Sequence, residues 1–199
     1  MRTTLKSPVK LQHGDVTLRL IEQSDKKTWE EIRSNNRDWL DPWDSTNPAG
    51  DGRNVDFRVY VRRLRAGFRE QSVVPLVVEY NGKMVGQITL GNVVWGSLRQ
   101  GYVGYWIDSR AAGRGIMPTA VALMLDYAFQ ECELHRVEIS IRPENTASLR
   151  VVEKLGLKSE GIRRKYLHIA GDWRDHFIYV AIADELPLDG FAASQPLVH

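Results

Sequence analysis

The chain has 199 residues, of which 43% are hydrophobic, and its 27 basic and 25 acidic side chains leave a net charge of +2. This length suits one compact domain with its own core, and the near-neutral charge excludes a global field that would hold nucleic acid. The single cysteine, Cys132, excludes an intrachain disulfide and a zinc site built on paired thiolates.

The distribution of apolar residues also bears on the compartment. No apolar run approaches the roughly 18 residues that suggest a membrane span. The first residues, Met-Arg-Thr-Thr-Leu-Lys-Ser-Pro, lack the apolar core of a signal peptide. We therefore expect a cytoplasmic protein with no membrane partner.

The first third of the chain predicts a strand and two helices. Apolar and polar residues alternate over residues 15–21, as they do in a half-buried strand. Ser24 precedes a helical stretch that runs through Asn36, and a second helix is predicted over about residues 55–71.

A loop is predicted between these helices, over residues 38–52. This stretch is rich in Pro, Gly and Asp, and it carries Trp39 and Trp43. Long loops often hold functional residues. The two tryptophans form either a rim for an incoming substrate or buried anchors of the loop.

The centre of the chain predicts an antiparallel meander. Strands are expected over residues 73–80 and 84–94, joined by a turn at Asn81-Gly82, which is the strongest short signal for a hairpin. A further strand follows over residues 102–108. Tyr102 begins this strand and is a candidate for contact with the substrate.

A glycine turn follows that strand and opens a helix that continues to Phe129. At such a turn backbone N–H groups can converge on a phosphate, and Gly113 and Gly115 let the ligand approach closely. Neither a Walker loop nor a dinucleotide fingerprint fits the spacing. The turn is therefore a candidate pyrophosphate site of another kind.

The last third predicts a strand over residues 136–142, a helix over 145–156 and two strands over 157–169 and 172–183. Helices follow strands twice and hairpins flank them, which indicates an α+β fold with a mixed sheet. We expect a flexible tail from about residue 185, because Pro and Gly recur there.

Three ordered motifs carry a family resemblance: Gly-Arg-Gly-Ile-Met at 113–117, Asn145-x-x-Ser148, and Gly-Asp-Trp-Arg-Asp-His at 171–176. The chain thereby resembles the GCN5-related N-acetyltransferase (GNAT) superfamily, and within it the RimJ/RimL branch. The resemblance implies the GNAT fold, with a central, mixed, mostly antiparallel twisted sheet of about seven strands and helices on both faces. It implies a single domain over residues 1–199.

The resemblance also implies acetyl-CoA as the co-substrate and no metal. The pyrophosphate is expected on the N–H groups of the glycine turn, and the thioester carbonyl near Ile107. Asn145 either contacts the cofactor or caps its helix, and both roles are compatible. The residues expected to bind the cofactor are Ile107, Ala112, Gly113, Arg114, Gly115, Ile116, Met117, Asn145 and Ser148.

The catalytic groups are less clearly marked. Many superfamily members carry a tyrosine acid at the position of Val152, which cannot donate a proton, so Ser148 is the candidate acid for the departing thiolate. An α-amine with a pKa of about 7.7–8.0 needs only a weak base, whereas a lysine with a pKa of about 10.4 needs more. Glu138 and Asp175 are the candidate bases, with His176 as a third choice.

The implied activity is acetyl transfer to the N-terminal α-amine of a ribosomal protein beginning with Ala or Ser. Two alternatives stay open: acetylation of a small amine such as an antibiotic or a polyamine, and acyl-CoA or ribosome-assembly binding without catalysis. Trp39, Trp43 and Tyr102 are the candidate acceptor contacts. We expect a monomer or a homodimer that makes no direct contact with nucleic acid.

Overall fold

The computed structural model describes residues 10–50 and 56–198, and these form one eight-stranded sheet flanked by helices. The strand order is β1-β2-β3-β4-β5-β6-β8-β7. The strands are β1 (Lys10–His13), β2 (Val16–Leu20), β3 (Val74–Tyr80), β4 (Lys83–Val94), β5 (Gln100–Ile107), β6 (Arg136–Ile141), β7 (Lys158–Ile169) and β8 (Asp172–Ile182).

The α+β class and the mostly antiparallel sheet are confirmed, with one strand more than the seven predicted. The additional strand is β1, which pairs with β2 through Lys10↔Arg19 to His13↔Val16. Four residues are too few to show an alternating pattern, so the sequence did not indicate it. The predicted hairpin between β3 and β4 is present. Asn81 and Gly82 both have positive φ there, as a type I′ turn requires.

The one parallel contact in the sheet is short. β5 and β6 pair only from Gln100↔Arg136 to Tyr102↔Glu138. Beyond these rungs the two strands are unpaired with each other, although both continue, β5 to Ile107 and β6 to Ile141. The sheet is therefore open along a seam between β5 and β6.

Helices cover both faces of the sheet. They are α1 (Lys26–Asn35), α2 (Arg37–Leu40), α3 (Phe57–Arg69), α4 (Ile116–Asp126), α5 (Thr146–Lys154) and α6 (Gly190–Ala193). On one face, Leu76 and Val78 of β3 share a core with α4 and α5, whereas Val77 points the other way, toward a smaller core with α1 and α3. Alternation along β3 thus supplies both cores.

Helix α4 is the central helix of the larger core. All residues from Ile116 to Leu125 are buried, because the sheet covers one side and α6 packs on another. In residues 10–50 and 56–198, no helix is long and apolar enough to cross a membrane.

The segment predicted as a loop over residues 38–52 is partly helical in the structure. Residues 38–52 were expected to be a loop, but α2 and a 3-10 turn, Asp41–Trp43, occupy its first part. Pro42 suits the first turn of such a helix, so the proline does not exclude helical structure here. Residues 51 and 52, and the predicted helix start at Val55, lie outside the described residues.

The tail was expected to fray and instead packs on α4. Phe191, Ala192 and Val198 are buried, and the Asp126 carboxylate accepts hydrogen bonds from the N–H groups of Phe191 (2.7 Å) and Ala192 (2.8 Å). The prediction weighed the Pro and Gly content of the tail and not its apolar residues, whose partner on α4 is distant in sequence.

Candidate active site

A cavity of about 940 Å³ opens at the seam between β5 and β6. Residues 103–107 of β5 and 139–141 of β6 form its walls, and the glycine turn, α5 and the segment after α1 complete it. Its volume is at the upper end of the range that is typical of small-molecule and cofactor sites. The break in strand pairing therefore opens a cavity that is large enough for a cofactor.

The glycine turn presents unpaired backbone donors to this cavity. Gly113 and Gly115 have φ of 79° and 84°, in the region that glycine adopts without strain. The first hydrogen bond of α4 runs from Thr119 N to Gly115 O (3.2 Å), so the N–H groups before Thr119 have no partner within the helix. With the positive end of the helix dipole, they can bind an anion.

The cofactor residues predicted in this segment divide into two groups. Ile116 and Arg114 are absent from the cavity wall: Ile116 is buried in the core, and the Arg114 guanidinium lies 4.6 Å from the Tyr80 ring centroid and donates to the Tyr80 hydroxyl. Their side chains are directed elsewhere, which leaves them only backbone contacts. The residues that do line the cavity are Ile107, Ala112, Gly113, Gly115 and Met117.

The backbone of Ile107 faces the seam. Asp108 N donates to Val85 O on the β4 side (2.8 Å), and successive residues of a strand point their N–H groups to opposite sides. The N–H of Ile107 is therefore directed toward β6. On the same side, Trp39 Nε1 donates to the carbonyl of Ile107 (3.0 Å).

Asn145 and Ser148 meet at the start of α5, and both line the cavity. The Asn145 side chain accepts a hydrogen bond from Ser148 N (3.0 Å), which establishes the capping role that the sequence left open. The Tyr105 hydroxyl donates to the carbonyl of Ser148 (3.3 Å), and burial raises the pKa of Tyr105. The Ser148 hydroxyl has no hydrogen-bond partner within the described parts of the chain and so can serve a ligand.

The two carboxylates proposed as bases do not line the cavity. Glu138 is buried and forms ion pairs with Arg136 (2.8 Å) and Arg163 (2.9 Å). Asp175 is exposed and accepts a hydrogen bond from Lys165 N (2.8 Å), at an irregular part of the β7–β8 pair. Both carboxylates are engaged in structural contacts outside the cavity.

His176, the third choice from the sequence, does line the cavity and is 2% exposed. Its Nδ1 lies 3.0 Å from the carbonyl oxygen of Arg174. Because a carbonyl can only accept, Nδ1 carries the hydrogen and Nε2 has a free lone pair. Burial lowers the pKa of His176, with a smaller contribution in the same direction from the charge of Arg142. The hydrogen bond to the Arg174 carbonyl and the charges of Glu144 and Asp175 oppose this shift, and the net lowering of the pKa favours the neutral imidazole.

One side of the cavity is aromatic. Trp39 and Trp43, the predicted acceptor contacts, line it, and the Arg142 guanidinium lies 5.3 Å from the Trp43 ring centroid. Thr46 N donates to His168 O (2.8 Å), which fastens this segment to β7. The third predicted acceptor contact, Tyr102, is absent from the cavity lining and pairs with Glu138 where β5 and β6 are still joined.

Several lining residues were missed from the sequence. Gln87 is buried on β4, accepts from Trp29 Nε1 (3.0 Å) and donates to the Tyr60 hydroxyl (2.7 Å). A glutamine within the mostly apolar run over residues 84–91 is a signal that could have indicated it. Arg150 and Lys154 are exposed on α5, four residues apart, and line the cavity. Their spacing could have indicated a shared helix face.

Among residues 10–50 and 56–198, no group of three or more His, Cys, Asp or Glu side chains is arranged so that it could hold a metal ion.

Comparison with known proteins gives a family match. The sequence model of the family described as Acetyltransferase (GNAT) domain matches residues 15–158. Among curated proteins, the chain is 32% identical over 170 residues to the probable N-acetyltransferase YjcK of Bacillus subtilis, covering 83% of this chain and 93% of that protein. It is 26% identical over 172 residues to the [ribosomal protein uS5]-alanine N-acetyltransferase of Escherichia coli, covering 85% and 89%.

Among solved structures, the fold is similar to that of Mycobacterium smegmatis RimJ in complex with CoA-disulfide. The TM-score is 0.88 at 34% sequence identity, and the match covers 94% of this chain and 93% of that one.

Proposed function

The chain belongs to the GNAT acetyltransferase family and is an acetyl-CoA-dependent N-acetyltransferase of the RimJ type; from that premise we propose that its acceptor is the N-terminal α-amine of a ribosomal protein beginning with Ala or Ser. One observation carries the proposal. The imidazole of His176, a weak base held neutral, lines the cavity, whereas Glu138 and Asp175 are engaged elsewhere.

A weak base suits an α-amine better than a lysine. At pH 7 an α-amine with a pKa of about 7.7–8.0 is about one-tenth neutral, whereas a lysine with a pKa of about 10.4 is almost wholly protonated. The similarity to an enzyme that acetylates the alanine of uS5 supports the same acceptor class. The aromatic rim of Trp39 and Trp43 offers an extended peptide a surface on which to lie.

Acetyl-CoA would bind along the seam. The N–H groups of the glycine turn would hold the pyrophosphate, and Arg150 and Lys154 on α5 can neutralise the remaining phosphate charge of the cofactor. The thioester would lie between β5 and β6, where the N–H of Ile107 points toward the seam. There it can donate to the oxygen that becomes negative in the transition state.

The transfer is direct. The amine nitrogen forms a bond to the thioester carbonyl carbon, its proton passes to Nε2 of His176, and the carbon–sulfur bond breaks. Ser148 relays a proton to the departing thiolate, whose conjugate acid has a pKa near 8.5. Its hydroxyl hydrogen moves to the sulfur as its oxygen takes a proton from the His176 imidazolium through solvent, so that no serine alkoxide forms. The products are CoA with a free thiol and an acetylated N-terminus, and both side chains end in their starting states.

The test measures thiol release from acetyl-CoA with a short peptide that begins with Ala and contains an internal Lys. The same peptide with a blocked N-terminus is the control. We expect release with the free terminus only. Release with the blocked peptide would assign the activity to lysine, and release with neither would redirect it to small amines.

A Ser148→Ala variant links this activity to the cavity. Turnover should fall by about 10²-fold, because the leaving group loses its acid, while acetyl-CoA affinity stays unchanged. Unchanged turnover would remove Ser148 from the mechanism without affecting the acceptor assignment.

A further inference from the structure

Gly104 is an exposed glycine in the middle of β5, and it lines the cavity. Its φ is outside the left-handed region, and no atom lies within 4 Å of the position that a Cβ would occupy. Glycine weakens a strand interior relative to residues with side chains, and neither backbone geometry nor packing requires it here. A glycine inside a strand also marks a β-bulge, but Gly104 lies where the β4–β5 register is regular. Its place in the cavity lining therefore points to a ligand that comes close to the strand.

The neighbours of Gly104 across the sheet are small and polar. Thr89 is its partner on β4. On the other side, the parallel register Tyr102↔Glu138, extended by two residues across the seam, places Ser140 opposite Gly104 on the same face. The face of the sheet that carries His176 therefore has a row of small residues across three strands: Thr89, Gly104 and Ser140.

Ser140 has a property that points to a ligand. Its Oγ is buried, and it has no hydrogen-bond partner within the described segments. A buried hydroxyl without a hydrogen-bond partner lowers the stability of the fold, unless a ligand or a water molecule forms that hydrogen bond. Ser140 pairs with Ile178 on β8, so His176 lies two residues away along the adjacent strand, on the same face. The hydroxyl is thus close to the proposed base.

We propose that Gly104 and Ser140 form the seat for the first residue of the acceptor. Gly104 limits the size of the side chain that can enter. The Ser140 hydroxyl oxygen accepts a hydrogen bond from the amine N–H, which leaves the nitrogen lone pair directed to the thioester. This inference rests on the proposed function, because it assumes that the acceptor amine approaches along this face of the seam.

The test of the size limit is Gly104→Val, assayed with peptides that differ only in a first residue of Gly, Ala, Ser or Leu. Valine suits a strand, and no atom lies within 4 Å of the position of its Cβ, so the variant should melt at or above the wild-type temperature. The wild type should use the Leu peptide poorly. In the variant, kcat/KM for the Ala and Ser peptides should fall by about tenfold or more relative to the Gly peptide.

Gly91→Val is the matched control. Gly91 lies on the same face of β4, has no atom within 4 Å of the position that its Cβ would take and is absent from the cavity lining. Its ranking of first residues should equal that of the wild type. An unchanged ranking in Gly104→Val as well would overturn the size limit.

Ser140→Ala tests the hydrogen bond. The KM for the Ala peptide should rise by about fivefold, as expected for one lost hydrogen bond, with the acetyl-CoA Kd and the melting temperature preserved. An unchanged KM would overturn the proposed hydrogen bond between Ser140 and the acceptor amine.

Failure of the proposed function gives a different result. In that case the wild-type protein releases thiol from acetyl-CoA when small amines are present, but none of the peptides is a substrate. The seat is then tested on glycinamide, alaninamide and leucinamide, and it fails if Gly104→Val leaves their ranking unchanged.

Discussion

The proposed role of His176 depends on the surroundings of its side chain. Its ring is buried, its Nδ1 is bound to the Arg174 carbonyl, and Arg142 lies near enough to disfavour a second positive charge. Glu138, by contrast, has the chemistry of a base but is bound by two arginines. Residue type made both of them candidates in the sequence, and only the contacts separate them.

The lowered pKa of His176 has consequences for stability and for rate. A histidine with a folded-state pKa below its ordinary 6.5 binds its proton less readily in the folded state than in the unfolded state. The free energy of unfolding is therefore highest above pH 6.5, where the ring is neutral in both states, and it decreases as the pH falls below 6.5 toward the folded-state pKa. Below the His176 pKa, kcat/KM should fall with the second power of proton concentration, because the α-amine and the imidazole both protonate. Between the two pKa values it should fall with the first power.

The variant that checks this is His176→Gln, measured from about pH 5.5 to 8.5. Removing the base should lower kcat/KM by about 10²-fold, and the acid limb should keep a first-power slope throughout. A second-power slope that persists in the variant would assign the additional ionisation to another group.

At the scale of elements, the tail is joined to the cofactor turn. α6 begins at Gly190, which has a φ of 84°, and Asp126 of α4 holds the first N–H groups of α6. The tail then runs on to Val198, whose Cγ2 lies 3.4 Å from where a Cβ on Gly115 would be. The segment that the sequence suggested would fray therefore supports the turn that is expected to bind pyrophosphate.

Gly190→Ala should loosen this support. A Cβ at Gly190 would lie 2.8 Å from Asp126 Oδ2, and the positive φ adds backbone strain. We expect a loss of about 1–3 kcal/mol in the free energy of unfolding, measured by urea denaturation, and weaker acetyl-CoA binding by titration. Gly171→Ala, with a φ of 88° and nothing within 4 Å, is the control for strain alone and should leave acetyl-CoA binding intact.

Local patterns account for which elements the sequence could predict. The Asn81-Gly82 turn and the alternating runs of β3 to β8 are encoded in neighbouring residues, and they were found. Short elements such as β1 and α2 have too few residues for a period to appear. The order of α6 depends on contacts with Asp126, more than 60 residues earlier, which no local pattern contains.

At the scale of the whole molecule, the sequence indicated the candidate cofactor turn but not the proposed acceptor seat. The turn is one contiguous motif between a strand and a helix, so its chemistry can be inferred where it stands. Gly104 and Ser140 become neighbours only because β5 and β6 are adjacent in the strand order, and their positions across the seam follow from the parallel register. The sequence of neither segment alone indicates how the two strands are aligned.

The short ladder between β5 and β6 also divides the sheet mechanically. Five strands lie on one side and three on the other, and three residue pairs join them within the sheet. Acetyl-CoA bound in the seam would bridge the two parts and stabilise the state in which both are in position. In amide hydrogen exchange, saturating acetyl-CoA should therefore slow residues 103–107 and 139–141 most, and leave the β1–β2 hairpin at its original rate. Equal slowing throughout the sheet would instead indicate that the two parts already behave as one cooperative unit without the cofactor.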